Sequence, residues 1–226
     1  MLRTLMLTLL CTAAFSVSAL KSAQFMVTNT MSTGGGSFSQ AILDAQGAPG
    51  HDTITFNLIG TGPFQIASSA GFISIASSVF IDGRSQAGNG PGNWEIEIVD
   101  RLIVLRADTR ITGLHFRGSS GAVSVFVTAG EPMMNGTEIF DNRFSGGGMG
   151  VHLRAVQNNA TLHLGQTGVH DNIFTGDLDL AVNVQGSGSG AGAVGSIDSL
   201  MIHDNLIDSI KSGIEFQLTS SANGLG

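Results

Sequence analysis

Several polar residues recur at spacings that a fold would have to explain. His152 and Arg154 alternate with Val151 and Leu153, and Glu215 and Gln217 alternate with Ile214, Phe216 and Leu218. Between them, Ala181 and Asn183 alternate with Leu180, Val182 and Val184. In a β-strand such alternation sends one set inward and the other outward. On the shared outer face, His152 could serve as a base, Arg154 as an electrostatic stabiliser and Glu215 as an acid partner. His115 and Arg117 are the next candidates. Any half-buried strand also turns polar groups outward, so this pattern alone does not make an enzyme. No paired carboxylates of the glycosidase kind stand out. A Gly-x-Ser-x-Gly elbow and a paired-His zinc helix are both missing from the sequence.

A second set of residues lies in a repeated phrase. It reads Ile139-Phe140-Asp141-Asn142-Arg143-Phe144, Val169-His170-Asp171-Asn172-Ile173-Phe174 and Ile202-His203-Asp204-Asn205-Leu206-Ile207. The Asn residues are 172 − 142 = 30 and 205 − 172 = 33 apart. Asn tolerates the left-handed backbone region, and its amide both donates and accepts. Asn142, Asn172 and Asn205 are therefore expected at equivalent bends, their amides bonded in a ladder at the strand spacing of about 4.8 Å. Asp141, Asp171 and Asp204 precede them. Three stacked carboxylates could hold a cation such as Ca2+, but solvent-facing or turn-bonded Asp is the preferred reading. His170 and His203 could ligate zinc or copper only with a third ligand, and Phe140 occupies that place. No cofactor is called for.

A supersecondary unit of about 30 residues cannot bury its own apolar face, so units of this kind stack into a solenoid. Residues 111–218 carry the clearest coils. Each Asn phrase is followed by a glycine-containing link and another alternating strand, which leaves room for about three strands per coil. The stretch 185–195 is nearly all Gly, Ser and Ala and is expected to be a loop of little intrinsic order. Earlier strands are expected at residues 25–30, 52–57, 64–66, 73–75, 79–81, 95–99, 102–105, 111–116 and 122–127. Residues 83–93, rich in Gly and without a following Gly-Lys-Ser/Thr, form a loop rather than a phosphate cradle. Ser37-Phe38-Ser39-Gln40 fits a capping box, and Phe38, Ala41, Ile42 and Ala45 follow at helical spacing. A short helix ending near Gly47 and Pro49 is expected there.

With 32 Gly, 4 Pro and 12% charged residues among 226, the composition suits an all-β repeat with many turns. The formal net charge of −7, without a Lys/Arg cluster, argues against nucleic acid or anionic lipid as partners. Arg3, the apolar run from Leu5 to Val17 and the small residues Val17-Ser18-Ala19 read as a signal peptide over residues 1–19. The single Cys11 lies inside it, so the mature chain from residue 20 would have no disulfide. No other stretch is long and apolar enough to span a bilayer. Asn135-Gly136-Thr137 and Asn159-Ala160-Thr161 would accept glycans only in a eukaryotic host.

One family resemblance is visible in residues 25–86. Phe25-x-Val27-Thr28-Asn29-Thr30, Gly36-Ser37, Gln40-Ala41-Ile42-Leu43-Asp44-Ala45, Asp52-Thr53-Ile54-Thr55-Phe56 and Ile81-Asp82-Gly83 resemble the opening of bacterial surface proteins of the CSLREA and polymorphic outer-membrane type. Phe38 and Ser39 depart from the Leu and basic residue usual there. The resemblance implies a right-handed parallel β-helix of the pectin-lyase-like kind, with a short N-terminal capping helix. It also implies export, to the periplasm, cell surface or medium, and no particular activity. The expected protein is a non-catalytic scaffold that contacts glycans, polysaccharide or a neighbouring surface. The alternative is a carbohydrate-active enzyme: a polysaccharide lyase, hydrolase or epimerase. Since no second cap is apparent after residue 218, the last coil is expected to self-associate or to continue into a missing C-terminal region.

Overall fold

The computed structural model describes residues 21–118, 122–126, 133–158, 161–189 and 194–221. The expected signal peptide and Val127 lie outside these residues. The chain forms an all-β parallel helix of about six turns, with one α-helix at its start. Every strand pairs in parallel with the strand one coil away, so sequence repetition becomes spatial stacking. Sheet 1 runs through Gln24–Val27, Asp52–Phe56, Val79–Asp82, Arg110–Thr112, Glu138–Phe140, Gly168–His170 and Met201–His203. Sheet 2 stacks Phe64–Ile66, Ile96–Ile98, His115–Arg117, Arg143–Ser145, Ile173–Thr175 and Leu206–Asp208. Sheet 3 stacks Phe72–Ile75, Arg101–Val104, Val123–Phe126, Met149–Asn158, Leu180–Ser189 and Ser212–Ser221.

A fourth, three-stranded sheet contains Met133–Met134, Thr161–Gly165 and Val194–Asp198, so the later coils have four strands rather than three. Within the expected loop at 185–195, the described residues 185–189 and 194–195 are strand. Gln185 to Ser189 pair with residues 154–158 on one side and 217–221 on the other. Glycine and serine have little intrinsic strand preference. Here the two neighbouring strands offer them a complete backbone ladder, which overrides that preference.

The interior is built of in-register rows. One row is Ile54, Ile81, Ile111, Ile139, Val169 and Ile202 in sheet 1. Another is Ile66, Ile98, Phe116, Phe144, Phe174 and Ile207 in sheet 2. The rings of Phe116, Phe144 and Phe174 stack with centroids 5.0 and 4.8 Å apart, close to the strand spacing. Sheet 3 adds Val123, Val151 and Val182 beside Val125, Leu153 and Val184, all fully buried. In the last coil, Ile207, Ile214 and Phe216 continue these rows but remain exposed, because the rows end there among the described residues.

The helix spans Phe38–Gly47 and buries Phe38, Ala41, Ile42 and Ala45 over the first coil. The Ser37 hydroxyl caps it by accepting the Gln40 N–H at 3.2 Å. The reciprocal half of the capping box is absent. Gln40 instead donates to Asp44 at 2.8 Å, and the Ser37 N–H bonds the Gly34 carbonyl. No helix among the described residues is long and apolar enough to cross a membrane.

Candidate functional site

The side chains that could do chemistry are placed by the turn between sheets 1 and 2. Asn142, Asn172 and Asn205 lie one above another in this turn, as the repeat requires. The Asn142 Nδ2 donates to Asn172 Oδ1 at 3.2 Å, and Asn172 Nδ2 donates to Asn205 Oδ1 at 3.1 Å. Each Oδ1 also accepts a backbone N–H from the preceding coil: Leu114 to Asn142, Asn142 to Asn172, and Asn172 to Asn205. Asn142 and Asn172 are fully buried. The left-handed residues are not the Asn but the Asp before each: Asp141 (φ 48°), Asp171 (φ 55°) and Asp204 (φ 53°), with Gly113 (φ 71°) one coil earlier. The Asp turns the chain, and the Asn bonds it along the axis.

Each Asp of the column has its own partner. Asp141 pairs with Arg84, whereas Asp171 and Asp204 pair with His170 and His203 of their own coils, at 2.7 and 2.8 Å. The two imidazoles stack face to face at 5.0 Å, so their ring nitrogens do not converge. Among the described residues, no group of three or more His, Cys, Asp or Glu could hold a metal.

Sheet 3 carries the expected outer face. Ser124, His152, Asn183 and Glu215 form one register column, with Phe126, Arg154, Gln185 and Gln217 beside it. His152 and Glu215 are thus two strand spacings apart, about 10 Å, with Asn183 between them. Arg154 lies over the Phe126 ring at 5.0 Å and donates from Nε to Gln185 at 3.1 Å. Glu215 accepts from Gln217 at 2.6 Å. Asn183 is buried, and its Oδ1 has no partner. Ala181 is fully buried, so the polar part of its strand begins at Asn183. Burial pushes His152 down to about 4, and the charge of Arg154 adds to this.

Sheet 2 places a tighter cluster on its outer face. Gln65, Glu97, His115 and Arg143 share one register column, and Arg117 and Ser145 share the one beside it. His115 Nε2 lies 2.7 Å from Ser145 Oγ. Its Nδ1 lies 3.4 Å from Glu97 Oε1. Glu97 Oε2 accepts from Gln65 Nε2 at 3.1 Å and lies 3.6 Å from Arg117 Nη1. Glu97 and His115 are 5% and 7% exposed, while Ser145 is half-buried. Burial pushes His115 down to about 4, and the nearby charge of Arg143 adds to this; Glu97 opposes them.

Of the sequence candidates, His152, Arg154 and Glu215 share one wall but do not converge on one point. His115 and Arg117 do converge, together with Glu97 and Ser145, which sequence reasoning did not single out. The available signal was the repeat itself: 145 − 115 = 30, the same interval that separates the first two Asn residues. A buried threonine column, Thr109, Thr137 and Thr167, was also missed, although each Thr immediately precedes a sheet 1 strand. Comparison with family models, curated proteins and solved structures finds no match for the chain.

Proposed function

We propose that this chain is an exported or cell-surface β-helix scaffold whose sheet 3 wall binds an extended, largely uncharged glycan. The observation that carries this reading is the register column of Ser124, His152, Asn183 and Glu215, flanked by Phe126, Arg154, Gln185 and Gln217. These groups repeat at strand spacing along a rigid axis. Amides and hydroxyls both donate and accept, which matches the hydroxyls of a polymer lying across the coils. The unpartnered buried Oδ1 of Asn183 wants a donor. Phe126, with Arg154 packed over its ring, adds an apolar edge to the wall. The net charge of −7 disfavours polyanions. Export rests on the signal-like first 19 residues and on the resemblance of residues 25–86 to bacterial surface proteins.

The enzymatic alternative on this wall has less support. Among the described residues, His152 has no carboxylate bonded to it, and Asn183 separates it from Glu215 in the register column. Glu215 is too distant to orient it. Affinity electrophoresis through neutral and acidic polysaccharides tests the two readings. At least one neutral polymer should retard the protein, and Arg154→Ala with Asn183→Ala should restore its mobility. Retardation by none, or retardation unchanged in that double variant, would refute glycan binding at this wall. Turnover of pectin, alginate or a glycosaminoglycan would favour the enzyme.

A further inference from the structure

We propose that Ser145, His115 and Glu97 form an acyl-transfer centre on the outer wall of sheet 2 that hydrolyses carboxylic esters. This activity is separate from the sheet 3 wall. The three side chains come from three successive coils: Glu97 in Ile96–Ile98, His115 in His115–Arg117 and Ser145 in Arg143–Ser145. Their order in space is hydroxyl, imidazole, carboxylate. The carboxylate near Nδ1 favours the tautomer with a proton there, which leaves Nε2 free to accept from the Ser145 hydroxyl at 2.7 Å. The burial gradient has the same direction, with the carboxylate and imidazole buried and the hydroxyl half-exposed. Glu97 is itself fixed by Gln65 and Arg117. A nucleophile, a base and an orienting group thus lie within reach of one another, the arrangement acyl transfer requires.

Two arginines share the outer wall with Ser145. Arg117 is the register partner of Ser145. Arg143 precedes Ser145 by two residues on the same strand, so both side chains share the outer face. The Nε of Arg143 is buried without a hydrogen-bond partner, which leaves one donor of that guanidinium uncommitted beside the imidazole. Residues 146–148 are all glycine; a side chain at Gly146 would press on the Gly118 backbone, whereas one at Gly147 would meet nothing within 4 Å, so the open space begins two residues after Ser145.

The reaction balances with water as the co-reactant. Ser145 Oγ bonds to the ester carbonyl carbon, and its proton passes to His115 Nε2. The bond from that carbon to the alcohol oxygen breaks, and the same proton leaves with the alcohol. Water then attacks the acyl-serine, giving its proton to Nε2. The acyl–Oγ bond breaks, Ser145 recovers the proton, and the acid is released. Glu97 is a positioning residue throughout. The charged groups facing His115 are Glu97 from the preceding coil, Arg143 from the following coil and Arg117 from its own strand.

The test uses the full chain, a fluorophosphonate probe with mass-spectrometric mapping, and hydrolysis of nitrophenyl acetate followed against pH. The probe should bond to Ser145. Ser145→Ala, which removes one half-buried hydroxyl, should abolish both labelling and turnover. His115→Ala should lower turnover by about 100-fold or more. The acid limb should lie near 4, the value to which His115 is pushed, rather than near 6.5. Glu97→Gln should move that limb lower still, because it removes the charge that supports the imidazolium, and should lower turnover on the plateau above it; an unmoved limb with full turnover would overturn the positioning role of Glu97. An unlabelled Ser145 in folded protein, labelling at another residue, or full turnover by Ser145→Ala would overturn the proposal.

Discussion

His115 and His152 form an instructive pair. Both lie on outward faces, and burial pushes both down to about 4. Each has an arginine whose charge adds to the effect. The difference lies in what else they touch. His115 stands between a buried carboxylate and a serine hydroxyl. His152 stands near Arg154, Gln185 and Asn183, and the Glu215 carboxylate of its column is two strands away. A lowered pKa marks burial in both and singles out neither. Partners that fix the tautomer are what separate a poised base from a wall residue.

The first way to probe the pair is to loosen the frame that both share. Asn172 accepts from Asn142 twice and donates to Ile139 and Asn205. Asn172→Ala leaves several buried groups unpaired and should cost about 4 kcal/mol, read as a fall in the urea midpoint. A smaller asymmetry should follow at the histidines themselves. His115→Ala strips a buried carboxylate of a partner and should cost about 3 kcal/mol. His152→Ala has no such orphan to leave and should cost about 1 kcal/mol. Equal losses would break the comparison.

The pH dependence comes next in size. Each imidazole is less basic folded than unfolded, so the unfolded chain binds more protons between about pH 4 and pH 6.5. The contribution of each is therefore fully present above about 6.5 and is lost as pH falls towards 4. For His115 it is about 2 to 3 kcal/mol; for the more exposed His152 it is less. His115→Gln should flatten the acid limb of an unfolding series more than His152→Gln does. The smallest effect belongs to Arg154→Ala, which should change stability by under about 1 kcal/mol because the Arg154 side chain is only partly buried, yet weaken glycan retardation.

The fold was legible because solenoid packing repeats its instructions. Period-two apolar residues, the Asp-Asn turn and the helix over Phe38 each state locally what the stacked coils need. Side-chain partnerships across coils were not legible in the same way. Glu97, His115 and Ser145 are adjacent only through register, which depends on how many residues each loop takes up between strands. The sequence lacks a nucleophile elbow because no strand-to-helix turn presents Ser145; the ladder does. The stretch 185–195 was misread for a related reason. Its composition favours a loop, but residues 185–189 take their order from the neighbouring strands.

Nitrogen-detected NMR of the two imidazoles at neutral pH tests the difference between these histidines most directly. His115 should carry its proton on Nδ1, with Nε2 showing the shift of a hydrogen-bond acceptor, and Glu97→Gln should weaken that preference while His152 stays unchanged. A proton on Nε2 of His115, donated to Ser145, would contradict the account, since that imidazole could not then take the proton of the serine.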